Sequence, residues 1–441
     1  MSVRVAAPRA APRARWLAGA ALLLVLPLLA GCPGPGASVV TIDVVGQVLA
    51  HDGTPLSGVL VHADGELTAT RSDGTFTLAG ISSPYTLTLG GGDTEPWVHA
   101  YEGLTSATPV LAPKVAGGLP FDFLGSVTGS VWGGGPLPSD QVVVVCVEGR
   151  TFPVQGCGRA TGGDTSYTAP AFWSSGGAVA PVRVHALRTR VDALGRPVAY
   201  LGYETHEADV LHQSSPTTVD VLPQGALDAS RFHGTIVPAG GGMLLTSGAW
   251  VRLDGGFAIP FFTQAPGAGY LDMNAPHLGN GDALVAGWAD HPTGWAMGWL
   301  TTPITQEFDL RLPEPPSLLG PVDGALGVTP ATEFRAIGGP TGAKEFAWSP
   351  LSGVGGPVVS LTTARDVARL PDPTVVGFAF VPGGAYDWRV VGVAADGVDA
   401  AAGVSLSPLL YAVFYGYGDL SGLLGSGAFA ISLTRTVTLA P

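Results

Sequence analysis

VVGQVLAHDGTPLSGVLVHADGELTATRSDGTFTLAGISSPYTLTL, residues Val44–Leu89, decides the fold class of this chain. Short β-favouring runs (Val44–Leu49, Val59–His62, Leu67–Thr70, Thr75–Leu78, Tyr85–Leu89) alternate with Asp52-Gly53, Asp64-Gly65 and Asp73-Gly74. Asp-Gly between strand-like runs marks a tight turn, because glycine takes positive φ at little cost. In Thr75-Phe76-Thr77-Leu78 the two-residue period puts Phe76 and Leu78 on one face, the face a core would cover. Strands this short and this closely spaced predict an all-β fold.

The same texture runs through the chain. Gly and Pro supply 65 and 38 of 441 residues, about twice their ordinary share, and charged residues fall to 12% against about 25% in an average domain. Disorder needs low hydrophobicity and high charge, and a chain that is 46% hydrophobic has neither. The expectation is all-β modules, and about 400 residues after a leader are enough for three or four of them.

Gly46-x-Val48, Gly53-x-Pro55-Leu56-x-Gly58-Val59-x-Val61, Thr70-x-x-Asp73-Gly74-x-Phe76-x-Leu78 and Pro84-Tyr85-x-Leu87 resemble the carboxypeptidase regulatory-like, transthyretin-like domain. The resemblance implies a non-catalytic Greek-key sandwich over residues 39–112, completed by Trp97–Tyr101 and the segment to Leu111. With it the expected fold class is all-β, several Greek-key β-sandwich modules in tandem. Domains of this kind support neighbours or bind partners, and some relatives of the fold bind carbohydrate.

Upstream, Arg4, Arg9, Arg13 and Arg15 precede the apolar run Trp16–Ala30, the pattern of a secretory leader. The run is short of the roughly 20 residues a spanning helix needs, and Pro27 interrupts it. Leu29-Ala30-Gly31-Cys32 resembles the lipobox of bacterial lipoproteins. That resemblance implies removal of residues 1–31, a diacylglyceryl group on the Cys32 thiol and a further acyl chain such as palmitate on its amine. Several acyl chains on one residue anchor a protein stably. The alternative is an ordinary cleaved leader with an incidental cysteine. Residues 32–38, continuing Pro33-Gly34-Pro35-Gly36, form a lipidated tether. The expected location is the cell envelope, at the outer membrane, with the periplasmic or surface face left open.

Loss of the leader removes four of the 21 basic residues and none of the 34 acidic ones, leaving a net charge of −17. Such a balance excludes nucleic acid as a partner, since phosphate neutralisation needs a basic face. With Cys32 lipidated, Cys146 and Cys157 remain as a pair in an oxidising setting, and a disulfide across the intervening loop is expected. A two-cysteine metal site is the alternative, but it lacks nearby ligands.

Two later segments open like the first. Gly129-Ser130-Val131 precedes Gly135-Pro136-Leu137, and Gly234-Thr235-Ile236 precedes Gly248–Gly255. Residues 122–225 and 226–312 are read as two more sandwich-like units, a single larger sandwich being the alternative. Pro313-Glu314-Pro315-Pro316 reads as a stiff linker. Beyond it, over 316–441, several motifs resemble a fibronectin type III-like module of secreted bacterial proteins: Pro321-x-Asp323-Gly324-Ala325, Phe346-x-Trp348, Leu370-Pro371 and Pro382-Gly383-x-x-Tyr386-x-Trp388-Arg389-Val390. Tyr386 falls where a tyrosine corner is expected. Phe334 departs from the pattern by replacing a usual tryptophan. An insertion is expected after Val393, including the apolar Leu409–Tyr417, before a last strand over Phe429–Leu439.

No Gly-x-Ser-x-Gly elbow, Walker loop, His-Glu-x-x-His or EF-hand loop is present. His206 and His212 with Glu204, Glu207 and Asp209 read as solvated polar residues rather than metal ligands. Asp272-x-Asn274 and Asn280-Gly281-Asp282 offer oxygen ligands, but their spacing fits no calcium loop, and Asn280-Gly281-Asp282 reads more simply as a turn. Trp288, Trp295 and Trp299 fit either a buried aromatic cluster or a sugar-stacking face. No enzyme, cofactor or metal site is expected. The reading is a lipid-anchored envelope protein with a structural or protein-interaction role, with carbohydrate binding through the tryptophans as the alternative. The partners would be the membrane, through the lipid on Cys32, and an envelope protein or glycan.

Overall fold

Alternation and Asp-Gly turns resolve into thirty strands, with one short helix, among the described residues. The computed structural model describes residues 40–441 except 51–52, 93–94, 114–122, 153, 174–176, 255, 265–266, 268 and 404–425. The first seven strands are β1 (Val40–Val48), β2 (Leu60–Ala63), β3 (Glu66–Ala69), β4 (Thr75–Ser83), β5 (Tyr85–Gly91), β6 (Trp97–Leu104) and β7 (Val110–Leu111). β1 lies between antiparallel β4 and parallel β7, and a second sheet runs β3-β2-β5-β6. Phe76 and Leu78 point inward from β4 onto Val44, Val48, Val61, Leu87 and Leu89, all buried. At the β2–β3 hairpin Asp64 and Gly65 both take positive φ, 50° and 85°, as a two-residue turn matched to strand twist requires.

The wiring then repeats. β8 (Phe123–Ser130), β9 (Gln141–Gly149), β10 (Cys157–Thr161), β11 (Ser166–Trp173), β12 (Val179–Val191), β13 (Pro197–Leu211) and β14 (Thr217–Thr218) form sheets β11-β8-β14 and β10-β9-β12-β13. β15 (Ala229–Pro238), β16 (Met243–Arg252), β17 (Ala258–Gln264), β18 (Tyr270–Pro276), β19 (Asp282–His291), β20 (Gly294–Pro303) and β21 (Phe308–Leu312) form β18-β15-β21 and β17-β16-β19-β20. In each set the first strand is central, its antiparallel neighbour is the fourth strand and its parallel neighbour is the seventh.

A glycine on each central strand explains the recurring Gly-x-Val/Ile. A Cβ on Gly129 or Gly234 would collide with the carbonyl oxygen of Val219 or Phe308 on the returning seventh-strand segment, and one on Gly46 would strike the Phe76 ring of β4, with Pro109 O also tight at 3.0 Å. The backbones approach where the side chain is missing.

The remaining strands are β22 (Ser317–Gly320), β23 (Ala325–Val328), β24 (Phe334–Ile337), β25 (Gly342–Pro350), β26 (Val358–Thr363), β27 (Val367–Ala368), β28 (Ala385–Ala394), β29 (Ser426–Ser432) and β30 (Arg435–Leu439), with helix α1 (Gly397–Ala402) between β28 and β29. Sheet β22-β24-β27 covers a core in which fully buried Phe334 meets Trp348 and Trp388 edge-on, each at 5.0 Å between ring centroids. Tyr386 is buried and packs on Phe380 at 5.6 Å. The single last strand expected over Phe429–Leu439 is instead two strands broken at exposed Leu433, because β29 joins β20 while β30 turns back along β28 and β23. Leu409–Tyr417 lies outside the described residues.

The sandwiches are fused through their sheets. β26 pairs in parallel with β6, from Val358 opposite Trp97 to Thr363 opposite Glu102. β29 pairs with both β28 and β20. One sheet of fourteen strands therefore runs from β17 through to β3. Pro313–Pro316, expected as a spacer, does not separate the sandwiches it joins, since Pro315 and Pro316 are buried. The second and third sandwiches share a core instead of a sheet. Cys146, Leu187 and Tyr200 pack with Phe232, Phe257 and Phe261, and the Tyr200 hydroxyl donates to Asn274 O at 2.7 Å. No helix among the described residues is long and apolar enough to cross a membrane.

Gly129→Ala should lower unfolding free energy by about 1–3 kcal/mol through overpacking against Val219. Gly135→Ala, where a Cβ meets only ordinary van der Waals contacts, should change it by under about 0.5 kcal/mol. Urea titration followed by tryptophan fluorescence measures both.

Candidate functional site

Cys32, the leader and the tether lie outside the described residues. Cys146 and Cys157 form the expected disulfide, from directly opposite positions on β9 and β10. Cys146 is fully buried, with His185 opposite it on β12. That histidine is itself buried. Its Nδ1 lies 2.8 Å from the Tyr203 hydroxyl, its Nε2 lies 2.9 Å from Glu148 Oε2, and its ring stacks on Phe257 at 5.0 Å. Burial, with Glu148 adding, pushes the Tyr203 phenol up to about 12. Both imidazole nitrogens are engaged, so the ring has no lone pair free for a ligand.

The β19–β20 hairpin carries the three tryptophans on one face, Trp288 standing opposite Met297. Trp288 stacks on Trp295 at 4.7 Å, and Trp295 meets Phe429 edge-on at 5.5 Å. Trp288 and Trp299 retain only 6% and 8% of their exposure, while Trp295 is half-buried. Trp299 packs over Gly427, where any Cβ would strike its ring. The trio is thus brought together, chiefly as packing between β20 and β29.

The polar candidates disperse. His206 faces Glu204 at 3.2 Å, whereas His212 Nδ1 accepts from Leu124 N at 3.0 Å. Asp272 forms a two-bond pair with Arg231 that holds its carboxyl below the usual range, and Asn274 donates to Val198 O. Asn280 and Asp282 bond each other across a turn. Among the described residues no three His, Cys, Asp or Glu side chains are grouped to hold a metal.

A cleft of about 640 Å³ lies where the first sandwich meets the last, within the roughly 300–1,000 Å³ of ligand sites. Its floor is the fused sheet: His62 on β2, Thr86 and Thr88 on β5, Ala100 and Glu102 on β6, Leu361 on β26. Its opposite wall follows β26 through Arg365, Val367, Ala368, Arg369, Pro371, Asp372 and Val375, with Glu333 before β24. Thr88, Ala100, Leu361 and Ala368 are buried, so the floor is mainly apolar and the rim charged.

The rim ions are mostly paired. Arg365 donates to Glu102 Oε1 at 2.8 Å, and Thr363 Oγ1 donates to Glu102 Oε2 at 2.9 Å. Arg369 donates to Glu333 at 3.1 Å, and together with Arg335 it holds the Glu333 carboxyl below its ordinary range. Asp64 accepts from Ser82 N at 2.8 Å, and Asp372 accepts from Thr374 N at 2.9 Å and Thr374 Oγ1 at 2.6 Å. Neither of those two carboxylates has a cationic partner among the described residues.

Sequence reasoning missed this cleft. Arg365 and Glu102 are 263 positions apart, and no local pattern joins them.

No protein-family profile matches the chain, and no curated protein matches it. Among solved structures it is similar to the Bacillus anthracis TIE protein, at 10% identity and a TM-score of 0.18, covering 62% of this chain and 49% of that one. It is also similar to BcpA, the major pilin subunit of Bacillus cereus, at 8% and 0.14, covering 62% and 99%. A tetra-tandem repeat in the extending region of a large adhesion protein scores 12% and 0.14, covering 91% and 99%. The chain spans about half the length of the TIE protein. Overlap at these scores assigns neither family nor function.

Trp299→Ala should cost about 3–5 kcal/mol, the range for truncating a buried aromatic, read as a lowered urea midpoint. A change under about 0.5 kcal/mol would mark a surface indole instead. Removing the disulfide by Cys146→Ala/Cys157→Ala should cost about 2–3 kcal/mol, since it closes a separation of 11 residues. Reductant should mimic that loss in the parent and leave the double variant unchanged.

Proposed function

We propose that this protein is a lipid-anchored component of a bacterial cell envelope, with a non-catalytic role as a stiff scaffold for protein contacts. The single observation carrying the scaffold reading is the fused sheet. Backbone hydrogen bonding across β6–β26 and β20–β29 leaves no free hinge between the first, last and third sandwiches. Flexible linkers would let such modules reorient, and strand pairing opposes that. The anchor reading rests on the lipobox-like Leu29-Ala30-Gly31-Cys32, and the Cys146–Cys157 bridge suits an oxidising compartment. The first sandwich is read as carboxypeptidase regulatory-like and the last as fibronectin type III-like.

Cys32→Ser should move the protein from the membrane fraction to the soluble fraction and abolish labelling by radioactive palmitate. Mass analysis of the mature parent should find an acylated cysteine at its N-terminus. A bare thiol, or a retained leader, would remove the anchor from this reading.

A further inference from the structure

We infer that the cleft between the first and last sandwiches receives a short extended segment of a partner protein, one carrying a basic side chain within an apolar stretch. The inference rests on the protein-interaction reading above and adds the chemistry of the partner.

Three observations converge. The exposed lining of the cleft is mainly apolar, and its floor is one face of four adjacent strands, β2-β5-β6-β26, where Ala100 and Leu361 lie among Thr86, Thr88, His62 and the Arg365-paired Glu102. Such a floor suits an extended chain lying along it, with side chains entering by burial of apolar area.

The rim is acidic on balance: four carboxylates and two guanidiniums line the cleft. Arg365 and Arg369 are already held by Glu102 and Glu333. What remains for a ligand is Asp64 on the first sandwich and Asp372 on the last. Asp64 is held by Ser82 N and Asp372 by Thr374 N and Oγ1, and among the described residues neither has a cationic partner. A basic side chain entering the cleft would gain from these carboxylates without displacing an existing pair.

The net charge of −17 expected after leader removal draws cations from a distance. An acidic segment would meet these carboxylates with no free guanidinium to answer it. The two walls come from opposite ends of the chain but are pinned by the β6–β26 ladder, so the cleft is formed before a ligand arrives.

The test uses the full-length mature protein in detergent and three fluorescent heptapeptides with one apolar frame, bearing Lys and Arg, Gln, or Glu at the charged positions. Anisotropy should show saturable binding of the basic peptide, at least about tenfold tighter than the Gln peptide and weakening as salt rises. Asp64→Asn/Asp372→Asn should weaken it about five- to tenfold, in line with two partly screened charges. Asp140→Asn, on an exposed turn outside the cleft, should leave it unchanged. A benzophenone on the basic peptide should cross-link to the 62–64 or 365–372 segments, a readout that does not depend on the variants folding.

Equal binding of all three peptides, or cross-links elsewhere, overturns the inference. So does tighter binding of an oligosaccharide or of a second copy of this chain. If no peptide binds while cross-linking in native envelopes still joins this protein to another, the cleft inference fails and the interaction reading stands. If both are blank, both fail.

Discussion

An unpaired sheet edge is a row of free backbone donors and acceptors, and each sandwich in this chain has edges to satisfy. The fold satisfies several of them internally. β6, an edge of the first sandwich, is closed by β26 of the last, and β20, an edge of the third, is closed by β29. This pairing sets the rest of the structure. It aligns three sandwiches in one sheet, brings the two ends of the chain together, and creates the wall and floor of the cleft. Only the second sandwich stands outside the ladder, and there the join is made by a shared core around Tyr200, Phe232 and Phe261.

Repetition is the second organising feature. Three times the chain lays down a central strand, crosses between sheets and returns its seventh strand in parallel beside the first. At Gly129 and Gly234 the glycine is the sequence mark of that return, because only hydrogen leaves room for the incoming carbonyl, while Gly46 makes room chiefly for the Phe76 ring. Gly46, Gly129 and Gly234 are therefore packing residues as much as turn residues.

Much of the fold was legible because it depends on local rules. Asp64-Gly65 marked a hairpin, alternation in β4 marked its buried face, and the pairing of Cys146 with Cys157 followed from their even number once Cys32 was set aside. Tryptophan spacing showed that Trp295 and Trp299 share a face, but strand parity does not say what covers that face. Phe429 and Gly427 do so here, from a strand more than a hundred residues later. Pro315 and Pro316 read as a spacer because linker composition reports stiffness and not whether the neighbouring sandwiches will pair. The cleft was invisible for the same reason at larger scale. His62 and Glu102 on one side, Arg365 and Asp372 on the other, are each unremarkable in local sequence.

The ladder between Trp97–Glu102 and Val358–Thr363 also bears on how the polypeptide reaches its native state. A chain made amino end first exposes β6 while β26 is still to come, so that edge waits through most of synthesis with its donors and acceptors open to solvent or to a wrong strand. Non-local pairing of this kind is slow to form and prone to misassembly. Completion of the first sandwich is accordingly tied to arrival of the last, and the whole body closes as a unit only near the end of synthesis.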